Sequence, residues 1–394
     1  MSEAAASGLL GRSRRAAAVV GLVVLAAAAL LSGSDRQSKD FPNSPSLVGW
    51  PYDTGAARAR AVYAFVQSGP ESAIGMARRA ILSDPISAQP ISILGRAQLY
   101  AGQSVEARRT FGVTGQLGWR DSMTQIYWLD QAVQASDYKT ASERLDALLR
   151  QDPNNENRDR FLAVVSSTPE GRAALAIRLK LSPAWSEPYV TLLKDLPAEQ
   201  LTQRVDVVLR TGRGVWNCPA IAVLTQKVID AGMLSQAQAV WRQSCGSPNS
   251  LVYDGGFDLL DTTQATAGFT WHLSNRGDVT VRLLQDSAGN RKLGFEVSAA
   301  QSVPVIRQLL VLKPGTYQLS WKMPETSAAA ATALQVSISC DRPNLADAMP
   351  GKRGEGTTYT QTITIDQRCP ARQLIFWLAP NAKIELDNVD LQPQ

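Results

Sequence analysis

From residue 56 to 246 apolar side chains recur every three or four positions, and from residue 250 onward they recur every second position. The first period makes a stripe along a helix and the second makes one face of a strand, so a single layer cannot use both. The expected fold is therefore multidomain, with an all-α segment handing over to an all-β one. The handover falls after Pro248, at "NSLVYDGGFDLLDTTQATAGFTWHL". A chain of 394 residues with 44% hydrophobic content has material for two cores. The expected division is a basic flank and apolar helix over 1–35, a linker over 36–55, a helical domain over 56–247 and a β-sandwich over 248–394.

Arg12, Arg14 and Arg15 precede the uncharged run from Ala16 to Leu31, and Asp35, Arg36, Lys39 and Asp40 follow it. A helix of that run is about 24 Å long, short of the roughly 30 Å hydrocarbon core unless Ser32 to Ser34 and flanking side chains assist. Signal anchor and cleaved signal peptide both remain open. In either case the basic flank stays cytoplasmic and the chain beyond about residue 35 is translocated. "SRR" at Ser13 to Arg15 lacks the apolar and lysine residues of a twin-arginine signal, and no cysteine near the run offers a lipid anchor. The formal charge of +5 is spread along the chain without a basic cluster, which argues against a nucleic-acid partner.

In the helical segment Ala73, Ala107 and Ala141 lie 34 residues apart, Phe111 and Leu145 share that spacing, and Pro85 and Pro153 lie at twice it. "LGRAQLYAGQSVEARRTF" (94–111) and "DYKTASERLDALLRQDP" (137–153) resemble the two halves of a tetratricopeptide repeat. In that family small residues, here Gly95 and Ala107, let antiparallel helices approach. The resemblance implies a solenoid that docks a protein partner, with Arg96, Tyr100 and Asp130 at groove positions; plain solvated surface is the other reading of these three. Residues 154–216 lose the repeat, with Pro169, Pro183, Pro188 and Pro197 as breaks. "VLTQKVIDAGMLSQAQAVWRQSC" then forms one more hairpin turning at Gly232.

Four cysteines in an exported chain allow three pairings, and none forms a C-x-x-C motif. Locality selects Cys218 with Cys245, across the open end of the last hairpin, and Cys340 with Cys369, across a long excursion of the β segment.

Nine strand-like runs follow residue 250, separated by Gly, Pro, Asn and Asp, as in an antiparallel sandwich. "VYDGGFD", "FTWHL", "LLVLKPGTYQLSWKM" and "IELDNVDL" resemble the ordered motifs of the galactose-binding-like jelly roll of carbohydrate-binding modules. Asp254 stands where that family has Asn, and Asp258 where it has Glu. The resemblance implies a structural calcium on Asp258 and Asp387, the only cofactor expected; a turn cap and a pairing with a neighbour are the alternatives for the two. Alternation reads Trp271, Tyr317 and Trp321 as core. Trp377, in the doubly apolar "LIFWL", and Tyr359 are the candidate glycan contacts, packing against the helical half being the other reading of Trp377.

His272 is the one histidine, expected to face solvent, and no nucleophile motif accompanies it, so no catalytic residue is expected. Repeats joined to such a module resemble accessory proteins of bacterial exopolysaccharide synthesis and export. The expectation is a non-enzymatic scaffold in the bacterial inner membrane, single-pass, with its C-terminal domains in the periplasm, the repeats contacting a protein and the jelly roll contacting polysaccharide or the same complex; the alternative localisation is release to the periplasm after signal cleavage. A purely structural protein that binds no glycan and a glycan hydrolase are the competing functions.

Overall fold

The change of period appears as a change of element type. A computed structural model describes residues 3–40, 54–246, 250–263, 266–285, 289–324, 332–340, 344–369 and 371–394. Contacts divide the chain into two compact units, Met1–Asn155 and Glu156–Gln394, so the switch from helix to strand does not coincide with the division.

The first unit opens with α1 (Glu3–Asp40). Its Ala17–Gln37 stretch is long and apolar enough to cross a membrane, and none of it is buried in the protein. After it come α2 (Thr54–Gln67), α3 (Pro70–Ser83), α4 (Ala88–Tyr100), α5 (Ser104–Gln116), α6 (Ser122–Gln134) and α7 (Tyr138–Gln151). The even-numbered helices start at 54, 88 and 122 and the odd-numbered at 70, 104 and 138, so the 34-residue spacing of the alanines is a spacing of helix hairpins. Ala73, Ala107 and Ala141 are each fully buried at the crossing of a pair. Gly95 shows why a small residue is needed, since a methyl there would sit 2.9 Å from the Phe111 ring. Phe111 then stacks on Tyr127 with centroids 4.2 Å apart, tying the second hairpin to the third. Helix starts are fixed locally by Asp121 and Asp137, whose carboxylates accept the N–H of Thr124 and Thr140.

Asp35, at the end of the apolar run, accepts the N–H groups of Gly55 (3.1 Å) and Ala56 (2.9 Å). The carboxylate thus satisfies two donors of the first turn of α2, which otherwise has no acidic residue there.

The second unit begins with α8 (Arg158–Ser166), α9 (Pro169–Leu179), α10 (Ser186–Thr191) and α11 (Ala198–Thr211). Pro169 opens α9 and Pro197 precedes α11, positions where a missing N–H costs nothing. Pro188 lies inside the six-residue α10. Ion pairs replace the repeat here: Asp159 bridges Arg158 (3.1 Å) and Arg204 (2.5 Å), and Asp206 bridges Arg172 (2.5 Å) and Arg210 (3.0 Å). Arg204, only 4% exposed, also lies over the buried Tyr189 ring. Burial pushes Asp159 up, but hydrogen bonds and charge from the two arginines outweigh it and hold the carboxyl below its ordinary value.

α12 (Cys218–Asp230) and α13 (Leu234–Ser244) form the last hairpin, and Cys218 is bonded to Cys245 at its open end. The strands are β1 (His272–Leu273), β2 (Val279–Gln285), β3 (Arg291–Val297), β4 (Val303–Val311), β5 (Gly315–Lys322), β6 (Leu334–Ser339), β7 (Met349–Pro350), β8 (Lys352–Arg353), β9 (Thr358–Ile365), β10 (Ala371–Leu378) and β11 (Lys383–Pro393). They make two antiparallel sheets, ordered β1-β4-β10-β6-β7 and β2-β3-β11-β5-β9-β8. Trp271, Tyr317 and Trp321 join the core between the sheets, and Cys340 is bonded to Cys369. The opposite face of β5 and β9 carries Gln318 and Ser320 beside Thr360 and Thr362. Alternation places these where water meets the second sheet.

Two expected glycan contacts are corrected here. Tyr359 is 1% exposed, because its register on β9 places it opposite Trp321, on whose ring it stacks with centroids 6.2 Å apart. Trp377 is 6% exposed and donates its Nε1–H to Ser337 Oγ of the neighbouring strand at 2.9 Å. Neither ring offers an open face to a sugar. His272 is half-buried rather than directed to solvent, with Nδ1 3.2 Å from Thr266 Oγ1, and burial followed by the charge of Arg307 lowers its pKa.

Candidate functional site

The "DGGFD" turn is built against the end of β11. Gly255 has no room for a side chain, since a Cβ would lie 1.9 Å from the carbonyl oxygen of Val389. In its place Val389 N–H donates to the Gly255 carbonyl at 2.9 Å. Asp254 is held at φ 51° by three contacts: its carbonyl accepts Trp271 Nε1–H (2.9 Å), its carboxylate accepts Leu259 N–H (3.1 Å), and the following Phe257 N–H bonds back to its carbonyl (3.0 Å). β11 answers with a bulge between Asp387 and Asp390 and with Asn388 at φ 50°.

This packing gathers carboxylates. Burial first, and the charge of Asp258 after it, push Asp254 up to about 6. Burial and the same Asp258 charge also raise Asp387, against the N–H of Asn388 and the charge of Lys322. A methyl on Gly256 would lie 3.1 Å from Asp258 Oδ2 and 3.8 Å from Asn388 Oδ1, so oxygen atoms of the two segments meet over that glycine. The cavity above, about 390 Å³, is also lined by Asp390, whose Oδ1 is buried without a hydrogen-bond partner among the described residues. These oxygens suit a hard cation, although no group of three metal-ligating side chains converges on one point among the described residues, and backbone carbonyls would have to complete a shell.

Next to the turn lies a larger cleft of about 840 Å³. One wall is α13 with Gln238, Trp241 and Arg242; the other is the end of β4 and the segment 250–253. Gln238 donates to the Val311 carbonyl (3.1 Å), and the Gln308 side chain clasps both backbone groups of Tyr253 at 2.9 Å. Gly268 N–H donates to Gln226 of α12 (2.9 Å), seating the loop that brings Phe269 to Trp241. Tyr253 meets Trp241 edge-on at 4.8 Å.

In the first unit Arg96 and Tyr100 come together, the guanidinium lying 4.9 Å from the Phe65 ring centre and 5.7 Å from that of Tyr100. Tyr100 is 67% exposed, whereas Asp130 accepts from Gln134 of its own helix (2.7 Å). The cleft residues carry no sequence motif. Arg213, Trp241, Arg242 and Tyr253 come from three separate segments, and only the oddity of an arginine between Gly212 and Gly214 marks one of them.

No protein-family model matches the chain, and no curated protein does. Solved structures do. Tailspike protein 4 of bacteriophage CBA120, in its enzymatically active domain, is 18% identical over 39% of this chain and 23% of its own, with a TM-score of 0.28. TmCBM61, solved with β-1,4-galactotriose, is 14% identical over 37% of this chain and 99% of its own, with a TM-score of 0.25. Carbohydrate-binding modules of the β-sandwich superfamily, described as promiscuous in specificity, give 16% identity over 38% of this chain and 65% of theirs, with a TM-score of 0.22. Likeness at this level assigns neither a ligand nor a reaction to the chain.

Proposed function

We propose that this is a membrane-tethered adaptor of the bacterial inner membrane, with α1 retained as a single-pass anchor, the helical hairpins docking a protein in the periplasm and the sandwich unit contacting polysaccharide. The observation that carries the tether is the Asp35 carboxylate on the first turn of α2, which builds the end of the apolar helix into the folded domain. A leader destined for removal gains nothing from such a contact. Two disulfides support an oxidising compartment. The 34-residue hairpin period supports the tetratricopeptide reading, and the exposed Arg96–Tyr100 pair is the proposed docking feature. Calcium at Asp258 and Asp387 belongs to the same proposal, as relief for carboxylates that repel one another.

The test is the mass of the mature protein together with alkaline extraction of membranes. A full-length chain that resists extraction supports the tether; a chain beginning near Ser34 in the soluble fraction refutes it. The adaptor is read as non-enzymatic, and turnover of any glycan by the purified protein would overturn that part.

A further inference from the structure

We propose that the cleft between α13 and the end of β4 binds an acidic oligosaccharide, a sugar chain bearing carboxylates. This rests on reading the second unit as a glycan-contacting one, and adds both the place and the chemical class.

Charge and surface chemistry together select this ligand. The cleft holds two cations, Arg213 and Arg242, and no Asp or Glu lines it among the described residues. Both arginines are exposed, and neither has a hydrogen bond or ion pair among the described residues. Carboxylates lie in the two adjoining cavities: Asp366 in one is already held by Arg368 and Arg372, and Asp254, Asp258 and Asp390 line the acidic turn in the other. Unpaired guanidiniums on a rim bind carboxylate in a two-point fork, the geometry that distinguishes arginine from lysine. Between them the inner wall is aromatic: Tyr253 is half-buried and supplies the accessible ring, with the buried Trp241 set edge-on against it. The apolar face of a sugar ring packs on such a ring, while its hydroxyls need fixed polar partners. Gln238 supplies one, because its amide nitrogen is committed to the Val311 carbonyl and its Oε1 is left to accept. A volume of about 840 Å³ falls within the range that encloses a short oligomer rather than a single ion. An acidic peptide would satisfy the two arginines but leave the aromatic wall without a counterpart.

The experiment is titration calorimetry on the full-length chain in detergent with three probes: an oligogalacturonate, the same oligomer methyl-esterified, and polyglutamate. The acid form is expected to bind at least roughly tenfold more tightly than the ester, with affinity falling as salt rises. Arg213→Gln and Arg242→Gln, both at exposed positions, are each expected to lose roughly tenfold while leaving the circular dichroism unchanged. Equal binding of acid and ester overturns the proposal. Acid-selective binding that survives in the double variant refutes the cleft while sparing the glycan reading. Polyglutamate binding as tightly as the uronate reassigns the cleft to acidic peptides, and failure of both sugar probes to bind removes the proposal together with the glycan part of the adaptor reading.

Discussion

Replacing Asp254 by Asn changes one atom and removes a charge that the fold holds at a cost. The carboxyl is raised from 3.8 to about 6 by burial and by Asp258. A rise of that size is equivalent to about 3 kcal/mol. Partial exposure of the group screens it, so roughly 1–2 kcal/mol is expected. The sign follows from proton binding. Between about pH 4 and 6 the native state holds the proton and the unfolded chain does not, so the wild-type protein loses stability as pH rises through that window. Asn does not titrate, its amide oxygen still accepts the Leu259 N–H, and it tolerates the left-handed φ of 51°. The variant should therefore be more stable by roughly 1–2 kcal/mol at pH 7.5 and equal to wild type at pH 4. Because the chain has two compact units, the assay should be local: hydrogen exchange of the 254–260 amides, read at closely spaced pH values with disulfides intact. A wild-type-minus-variant difference that is flat from about pH 4 to 7.5 would refute the reasoning. Adding millimolar calcium should narrow the gap at the upper end of that range by stabilising the wild type, provided a cation occupies the acidic turn.

Gly255→Ala must move the Val389 carbonyl away from a Cβ only 1.9 Å distant, so a loss of about 2–4 kcal/mol is expected in urea unfolding of the second unit; a change under about 0.5 kcal/mol would show that the turn and β11 are not locked together. Arg204→Met leaves Asp159 with Arg158 as its one remaining partner among the described residues and should cost about 2–3 kcal/mol at pH 7. Asp159 is held below its ordinary value, so its contribution is present above the unfolded carboxylate range and is lost as pH falls through the folded value. The cost of the substitution should accordingly shrink below about pH 4, and a cost independent of pH would mean that Arg204 acts only by packing over Tyr189.

The parts of this chain that could be read in advance are those where one periodicity decides one contact. A 34-residue repeat of alanines can only be a repeat of helix crossings, because those are the places where a larger side chain collides, as any side chain at Gly95 would with Phe111. Alternation placed Trp271 and Trp321 inside for the same reason. Trp377 and Tyr359 escaped that logic. Tyr359 has Thr360 and Thr358 on either side, so its polar neighbourhood concealed an inward register, and Trp377 follows a register shift after Phe376 that no local pattern announces. The cleft was illegible for a stronger reason. Its walls come from the loop after α11, from α13 and from the stretch after Cys245, and what joins them is side-chain to backbone bonding between distant segments, such as Gln308 to Tyr253 and Gln238 to Val311. Such bonds are made by glutamines, which carry no positional signature of their own. The acidic turn lies between these extremes: Asp258 and Asp387 could be named from their motifs, but Asp254 drew attention only as an Asn replaced. Its consequence, a buried carboxyl beside another, depends on Gly255 admitting the backbone of β11 at a distance that no other residue allows.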